Sequence, residues 1–405
     1  MKGVRNIIMG KLKIGVVGLG ARGLSLLRDV MLEIDKVEVI ILCDLYEDRV
    51  EDGKKCVFEK YGKEPQGTTD YKDIISCPDI EAIVVTAAWE AHVPVCIDAM
   101  NAGIAVATEV GGAYSVDQCW ELVHTYERTK SKFMMLENCC YGKRELQILN
   151  MVEQGIFGEI VHVEGGYCHD LRNEIAFGEE NRHYRLRNYL NRNCENYPTH
   201  ELGPLARVLG INHGNRMVSL TSTSSKAAGL HEYIKNEKSD DSKLINAQFS
   251  QGDVVTTVIK CADGATITLN LNTTLPRYYT RDFTVFGTKG MYEERTDSIF
   301  IDPQDREYDF GWKEKWGNAE EYYKTYKHPI WEEYEKSGII GGHDGMDWLV
   351  FNAFFDSVIN NTDCPIDVYD AASWMCVTPL SEKSILLGSS SVEIPDFTNG
   401  KWIVR

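Results

Sequence analysis

The sequence predicts an α/β chain in two parts, an N-terminal doubly wound parallel sheet over residues 1–140 and a C-terminal α+β domain over residues 141–405 with a large, open, mixed or antiparallel sheet. Three observations carry that expectation. Short apolar strands alternate with helical segments up to about residue 140, as in sheets whose parallel strands are joined by crossover helices. A glycine loop, Gly18-Leu19-Gly20-Ala21-Arg22-Gly23, separates the first strand from the first helix. From Ile160 the strands lengthen and alternate, and the turn Ala262-Asp263-Gly264 joins two of them, which is hairpin chemistry.

In chain order, Lys11 to Val17 is the first strand and Leu24 to Val30 the first helix. A G-x-G-x-x-G loop in that context is the Rossmann dinucleotide fingerprint. Gly18 allows the tight turn, Gly20 lets backbone approach a pyrophosphate, and Gly23 packs helix on strand. The helix N-terminus then faces the phosphates with unpaired N–H groups. The second strand, Val37 to Cys43, ends at Asp44, 21 residues past Gly23. A carboxylate there accepts a ribose 2′-hydroxyl and repels a 2′-phosphate, so NAD is the expected cofactor rather than NADP.

A polar helix from Tyr46 to Tyr61 leads through Thr68 to Tyr71 into a third strand, Ile80 to Thr86, with Ala87 to His92 at its carboxyl end. Ligands bind at that edge of open parallel sheets, which makes Trp89 and His92 candidates for cofactor contact. The alternative is a loop packed on its own helix. Val93 to Ala102 is helical, Ile104 to Thr108 is a strand ending in Glu109-Val110, and Ser115 with Gln118 has the capping-box spacing for a helix to Thr129. Phe133 to Asn138 closes the first domain as a strand.

In the second part, Val254–Lys260 and Ala265–Asn270 form the hairpin, and Phe283–Phe286 with Gly290–Tyr292 a further pair. Leu230 to Lys243 is polar and charged and reads as a mobile surface insertion. Trp348–Asn360 and Tyr369–Leu387 are amphipathic, the second capped by Asp370 and suited to pack back on the first domain. The segment Asn196 to Pro204 is richest in reactive side chains. Pro198 favours a first helical turn, which places Tyr197 and His200, three apart, on one side. Histidine is the side chain suited to proton transfer at working pH, which makes His200 a candidate to accept the proton of a hydroxyl whose hydride leaves; a structural histidine is the alternative.

The formal net charge of −18 argues against a nucleic-acid or anionic-membrane partner. Met1 to Gly10 lacks the pattern of a signal peptide, and no stretch is long and apolar enough to span a membrane. Twelve cysteines without a C-x-x-C pair suggest reduced thiols in a cytoplasm and no zinc or other metal site.

Several longer motifs point to a family. Leu136–Gly142 (LENCCYG), Gly166–Arg172 (GYCHDLR), His183–Arg187 (HYRLR), Tyr197–His200 (YPTH), Pro276–Arg281 (PRYYTR) and Gly287–Gly290 (GTKG) resemble those of glycoside hydrolase family 109. The two-part organisation resembles the wider Gfo/Idh/MocA superfamily of NAD(P)-dependent sugar oxidoreductases. The likeness runs from residue 11 to the helix start Asp367–Ala372. Known members include NAD-dependent α-N-acetylgalactosaminidases. The resemblance assigns Arg22, Gly23, Asp44, Trp89, His92, Glu109, Val110 and Asn138 to the NAD site. It assigns Tyr167, Arg185, Tyr197, Pro198, Thr199, His200 and Tyr279 to the sugar site. Tyr167, Arg185 and Tyr279 would otherwise read as core aromatics or surface charge.

The implied chemistry is redox-neutral. NAD takes hydride from carbon 3 of the sugar, the ketone acidifies the proton on carbon 2, the aglycone leaves by elimination, water adds at carbon 1, and the hydride returns. No carboxylate pair at glycosidase spacing is required. His200 would take the carbon 3 hydroxyl proton, and Tyr279 or Tyr197 the proton on carbon 2, with Arg185, Arg277 or Arg281 lowering the phenol's pKa. Two positions depart from the superfamily's ordinary dehydrogenases: Val110 follows Glu109 where they carry Lys, and Asn196 stands where they carry Asp. Two others depart from family 109: Glu201 stands in place of Gly and Tyr184 in place of Trp. An NAD-dependent sugar or inositol dehydrogenase and a ligand-sensing relative are the rival readings. A homo-oligomer, dimer or tetramer, is expected through the open sheet face.

Overall fold

The computed structural model describes residues 10–306, 311–338 and 342–405; the reading of the first nine residues lies outside them. Two compact units divide the chain. One takes the described parts of Met1–Glu109, Glu121–Leu136 and Ile339–Val368, the other Val110–Trp120, Glu137–Gly338 and Tyr369–Arg405.

The first unit holds a six-stranded parallel sheet of β1 (Leu12–Val17), β2 (Val37–Cys43), β3 (Gln66–Thr68), β4 (Ala82–Val85), β5 (Ala105–Thr108) and β6 (Phe133–Met135), in the order β3-β2-β1-β4-β5-β6. This is the Rossmann order. Ile14, Val16, Leu42, Ile83, Val84, Val106 and Met134 are fully buried, as expected for a sheet covered on both faces. The sequence reading misses β3, which is short and polar, and starts the helix after β4 too late, since Trp89–Asn101 is helical from Trp89. The chain returns to this unit late, with helix Met346–Ile359, whose Phe351, Phe354 and Phe355 are buried.

The second unit is built on β7 (Ile160–Cys168), β8 (Met217–Ser224), β9 (Val254–Cys261), β10 (Thr266–Asn272), β11 (Thr284–Gly287), β12 (Gly290–Glu293), β13 (Ser298–Ile301) and β14 (Val392–Glu393). The order is β13-β12-β11-β7-β10-β9-β8-β14. β10 pairs antiparallel with β9 and parallel with β7, so the sheet is mixed. Along β9 and β10 alternate residues are buried: Val255, Thr257, Ile259, Ile267, Leu269 and Leu271 face inward, while Val258 stands exposed on the other face.

Three local expectations need correction. The charged insertion is ordered as helices Gly229–Glu237 and Ser242–Ile245, because Leu230, Ile234 and Leu244 are buried and Lys238 reaches the Ala176 carbonyl and Glu180. Asp370 does not stand at the N-cap position: it lies inside helix Val368–Met375 and accepts from Asn212 at 3.0 Å. The helical stretch 369–387 is two helices, Val368–Met375 and Val377–Leu386, broken at Cys376.

Candidate active site

At the carboxyl edge of the first sheet, the glycine loop is closed by sterics. Gly18 has φ +100°, and a Cβ on it would stand 2.4 Å from the Ala87 backbone nitrogen; one on Gly23 would stand 2.2 Å from the Gly18 carbonyl oxygen. Gly20 differs, since a Cβ there would meet only Arg49 Nη1, at 3.6 Å. That open side is the room a pyrophosphate needs. Asp44 Oδ2 accepts the Leu19 N–H at 2.7 Å and Oδ1 the Tyr46 N–H at 3.1 Å. Its carboxylate is thereby fixed against the loop with lone pairs left for a ribose hydroxyl. These residues fit a dinucleotide.

The other residues assigned to the cofactor are placed as follows. Trp89 and His92 lie in the first turn of helix Trp89–Asn101, both buried. His92 Nε2–H donates to the Ala87 carbonyl at 2.9 Å, and burial pushes its imidazole down to about 4. A neutral His92 thus braces the backbone that lies against Gly18. Glu109 follows β5 in the first unit, whereas Val110 and Asn138 belong to the second.

In the second unit, Pro198 occupies the N-cap of helix Thr199–Val208 and is not in its first turn. This still sets Tyr197 and His200 side by side: Tyr197 Oη lies 3.3 Å from His200 Nε2 and the rings meet edge to face at 4.9 Å. The other ring nitrogen is held by a residue that sequence reasoning gave no role. Nδ1–H donates to Glu137 Oε1 at 2.7 Å, and Glu137 is wholly buried just beyond β6. The same carboxylate oxygen accepts the Cys139 N–H at 3.0 Å. Burial pushes Glu137 up, but the charge and hydrogen bond of His200, with the hydrogen bond from the Cys139 N–H, outweigh it and hold the carboxyl below its ordinary value. An ionised carboxylate behind Nδ1 fixes the tautomer and leaves Nε2 to take a proton.

Glu137, Cys139 and His200 form the one group among the described residues with metal-ligand chemistry, their ligand atoms lying within 4.8 Å of one another. The sequence reading expected no such set. Burial pushes the Cys139 thiol up, and the hydrogen bond from His200 Nδ1 to Glu137 is the contact that orders the trio.

Around His200 stand the residues assigned to the sugar. Tyr167 packs on Tyr197 at 4.6 Å and His200 at 5.6 Å, and the Arg185 guanidinium lies 5.1 Å from the Tyr197 ring while pairing with Glu174 at 2.7 Å. Burial pushes the Tyr167 phenol up to about 12. Tyr279 joins through His169, edge to face at 5.2 Å. The residue is half-exposed, and its partial burial raises the phenol more than the adjoining Arg281 lowers it. Thr199 is fully buried. Behind the helix, Glu201 and Glu195 face one another, 2% and 0% exposed. Burial, and for Glu201 the charge of its partner, pushes both carboxyls up, Glu195 to about 8.

Residues 12–137 match the family model "Oxidoreductase family, NAD-binding Rossmann fold", and residues 141–404 match "Glycosyl hydrolase 109, C-terminal domain". The chain is 36% identical to a glycosyl hydrolase family 109 protein of Stenotrophomonas maltophilia, covering 98% of this chain and 91% of the relative. It is 37% identical to an alpha-N-acetylgalactosaminidase of Bacteroides fragilis, over 96% and 92%. In fold it is similar to scyllo-inositol dehydrogenase from Lactobacillus casei with bound NAD(H) and scyllo-inositol, at TM-score 0.65 and 14% identity over 95% of this chain and 99% of that one. The chain belongs to glycoside hydrolase family 109, its N-terminal domain being of the Gfo/Idh/MocA oxidoreductase type.

Proposed function

We propose that the protein hydrolyses N-acetylhexosaminides, α-N-acetylgalactosaminides foremost, with NAD as a resident cofactor. The observation that carries this reading is His200 held at Nδ1 by Glu137 with Nε2 beside Tyr197, in a chain of family 109. Bound at the dinucleotide site, NAD supplies reversible hydride acceptance at carbon 3 of the sugar. Gly20, in the turn that Gly18 and Gly23 shape, would admit its pyrophosphate, and Asp44 would hold its ribose.

His200 Nε2 takes the carbon 3 hydroxyl proton, and Glu137 stabilises the imidazolium that forms. Arg185, Tyr167 and Thr199 shape the sugar pocket. Two phenols stand ready for the carbon 2 proton, Tyr197 beside His200 and Tyr279 beside Arg281. Tyr279 holds its proton in the resting protein, since burial raises it, and serves as base only as far as Arg281 stabilises the phenolate. The rival dehydrogenase reading has the fold likeness alone in its favour.

We place the protein in a cytoplasm on the strength of its free thiols, and no helix among the described residues is long and apolar enough to cross a membrane. The exposed face of β9 and β10 is the surface proposed for a dimer or tetramer; sedimentation as a monomer at micromolar concentration would remove that proposal. The main reading is tested by turnover of a nitrophenyl α-N-acetylgalactosaminide in deuterium oxide. It requires aglycone release without NADH accumulation and deuterium at carbon 2 of the freed sugar. Stoichiometric NADH with no aglycone would establish the dehydrogenase instead.

A further inference from the structure

Arg22 is expected to touch the cofactor, yet its guanidinium is engaged by the protein itself. Nη1 donates to Asp347 Oδ2 at 2.9 Å and lies 3.3 Å from His343 Nδ1; Nη2 donates to Asp347 Oδ1 at 2.8 Å and to Glu109 Oε1 at 3.1 Å. A guanidinium fork on one carboxylate is among the strongest side-chain pairs. Asp347 is only 1% exposed, so water does little to screen this pair. Three remote pieces of the first unit meet here: the first turn of helix Ala21–Asp29, the end of β5, and the start of helix Met346–Ile359.

The approach to Asp347 is itself unusual. His343, Asp344 and Gly345 have φ of +50°, +52° and +92°, and two consecutive non-glycine residues in the left-handed region persist only where their surroundings hold them. His343 Nδ1 lies 2.9 Å from Asp347 Oδ2 and supplies part of that hold. Burial pushes Asp347 up, but hydrogen bonds from Arg22 and His343 and their charges keep its carboxyl well below the ordinary range. None of these three residues of the late segment was singled out by the sequence reading.

We propose that the turn His343–Asp347 is a clasp on the dinucleotide site: Asp347 holds Arg22, and with it the first turn of helix Ala21–Asp29, so that NAD is retained from one turnover to the next. The inference rests on the reading of this edge as an NAD site. Arg22 acts as a positioning residue. Its charge is met by Asp347 and Glu109, and the loop N–H groups whose direction it fixes are what a pyrophosphate meets. A redox-neutral cycle needs the nucleotide to stay, and a fixed loop slows its departure.

The test is exchange of bound NAD against isotopically labelled NAD in the purified, NAD-loaded protein, alongside its melting temperature. Asp347→Asn and Arg22→Gln should each speed exchange about tenfold or more, and the double variant should be no faster than the faster single, because both break one connection. Asp347→Glu should restore part of the retention. A merely structural role would lower the melting temperature and leave exchange unchanged. Should Asp347→Asn fail to fold, His343→Ala at a half-exposed side chain reads the same clasp, and faster exchange supports it. Exchange within twofold of the parent in the folded variants overturns the clasp alone, whereas a parent protein that binds no NAD overturns the cofactor reading.

Discussion

Glu137→Gln isolates the charge behind the histidine at almost constant shape. In the parent, Oε1 takes both the His200 Nδ1–H at 2.7 Å and the Cys139 N–H at 3.0 Å, with no exposed surface on the residue. The amide can still accept, but it cannot stabilise an imidazolium, and its NH₂ group can force the opposite tautomer on the ring. A hydrogen bond to a charged group contributes about 1.5–3 kcal/mol in a folded protein. Where a carboxylate orients a catalytic histidine in a serine protease, its replacement by an amide lowers kcat by about 10⁴. The expectation here is a fall of roughly 10²–10⁴, or about 3–5 kcal/mol of transition-state stabilisation, with NAD binding unchanged. Stability should respond with a defined sign. The folded Glu137 carboxyl lies below its ordinary 4.5, so its contribution is present above about pH 4.5 and lost as pH falls through the folded value. The melting-temperature gap between parent and variant should therefore narrow in acid. Aglycone release, bound-nucleotide absorbance and thermal melts read the three effects. A variant that keeps kcat within tenfold of the parent would show that the carboxylate does not support a proton acceptor.

Glu201→Gln should stabilise the protein more at pH 8 than at pH 5. Folded carboxyls raised by burial, with Glu195 near 8, favour folding below their unfolded value and lose that contribution as pH climbs through the folded one; an equal gain at both pH values in thermal melts contradicts a raised Glu201 carboxyl. Asp44→Ala should weaken NAD binding and reduce the preference over NADP, and equilibrium titration showing an unchanged ratio would remove the ribose role. Tyr197→Phe and Tyr279→Phe, compared by deuterium entry at carbon 2, identify the base. The variant that abolishes exchange carries it, and full exchange in both excludes the phenols.

The first unit was legible because its signals are local. A G-x-G-x-x-G loop between strand and helix, and an acid at the end of the next strand, state their geometry within about 30 residues, and Gly18 and Asp44 stand where that geometry puts them. The hairpin at Ala262–Gly264 is local in the same sense. Glu137 was not legible, because its meaning depends on a histidine 63 positions away, and a glutamate ending an apolar strand has no pattern of its own. Asp347 lies 325 positions from Arg22. The nearest signal for it was a histidine and an aspartate four apart in a glycine-rich turn before a helix. Composition misled in the insertion at 230–243, where buried Leu230 and Ile234, with Leu244 just beyond and Lys238 between, decide order against a charged background.

Two departures noted in the sequence acquire a physical relation around His200. Asn196, standing where ordinary dehydrogenases carry an acid, is neutral and bonded to Gln251 at 3.2 Å. Glu201, standing where a glycine is expected, adds a carboxyl on the helix of His200, but Glu195 and burial favour its protonated form. The additional acid therefore tends to bring no second negative charge to the histidine. Glu137 is itself among the groups that push Glu201 up, so the ionised carboxylate behind Nδ1 helps keep its neighbour neutral. Neutralising Glu137 should accordingly make Glu201 easier to ionise, and in Glu137→Gln the alkaline loss of stability should be smaller and complete at lower pH than in the parent. Thermal melts of the single and double Glu137→Gln, Glu201→Gln variants across pH 5–9 measure that coupling, and strict additivity at every pH would show that the two acids do not sense each other.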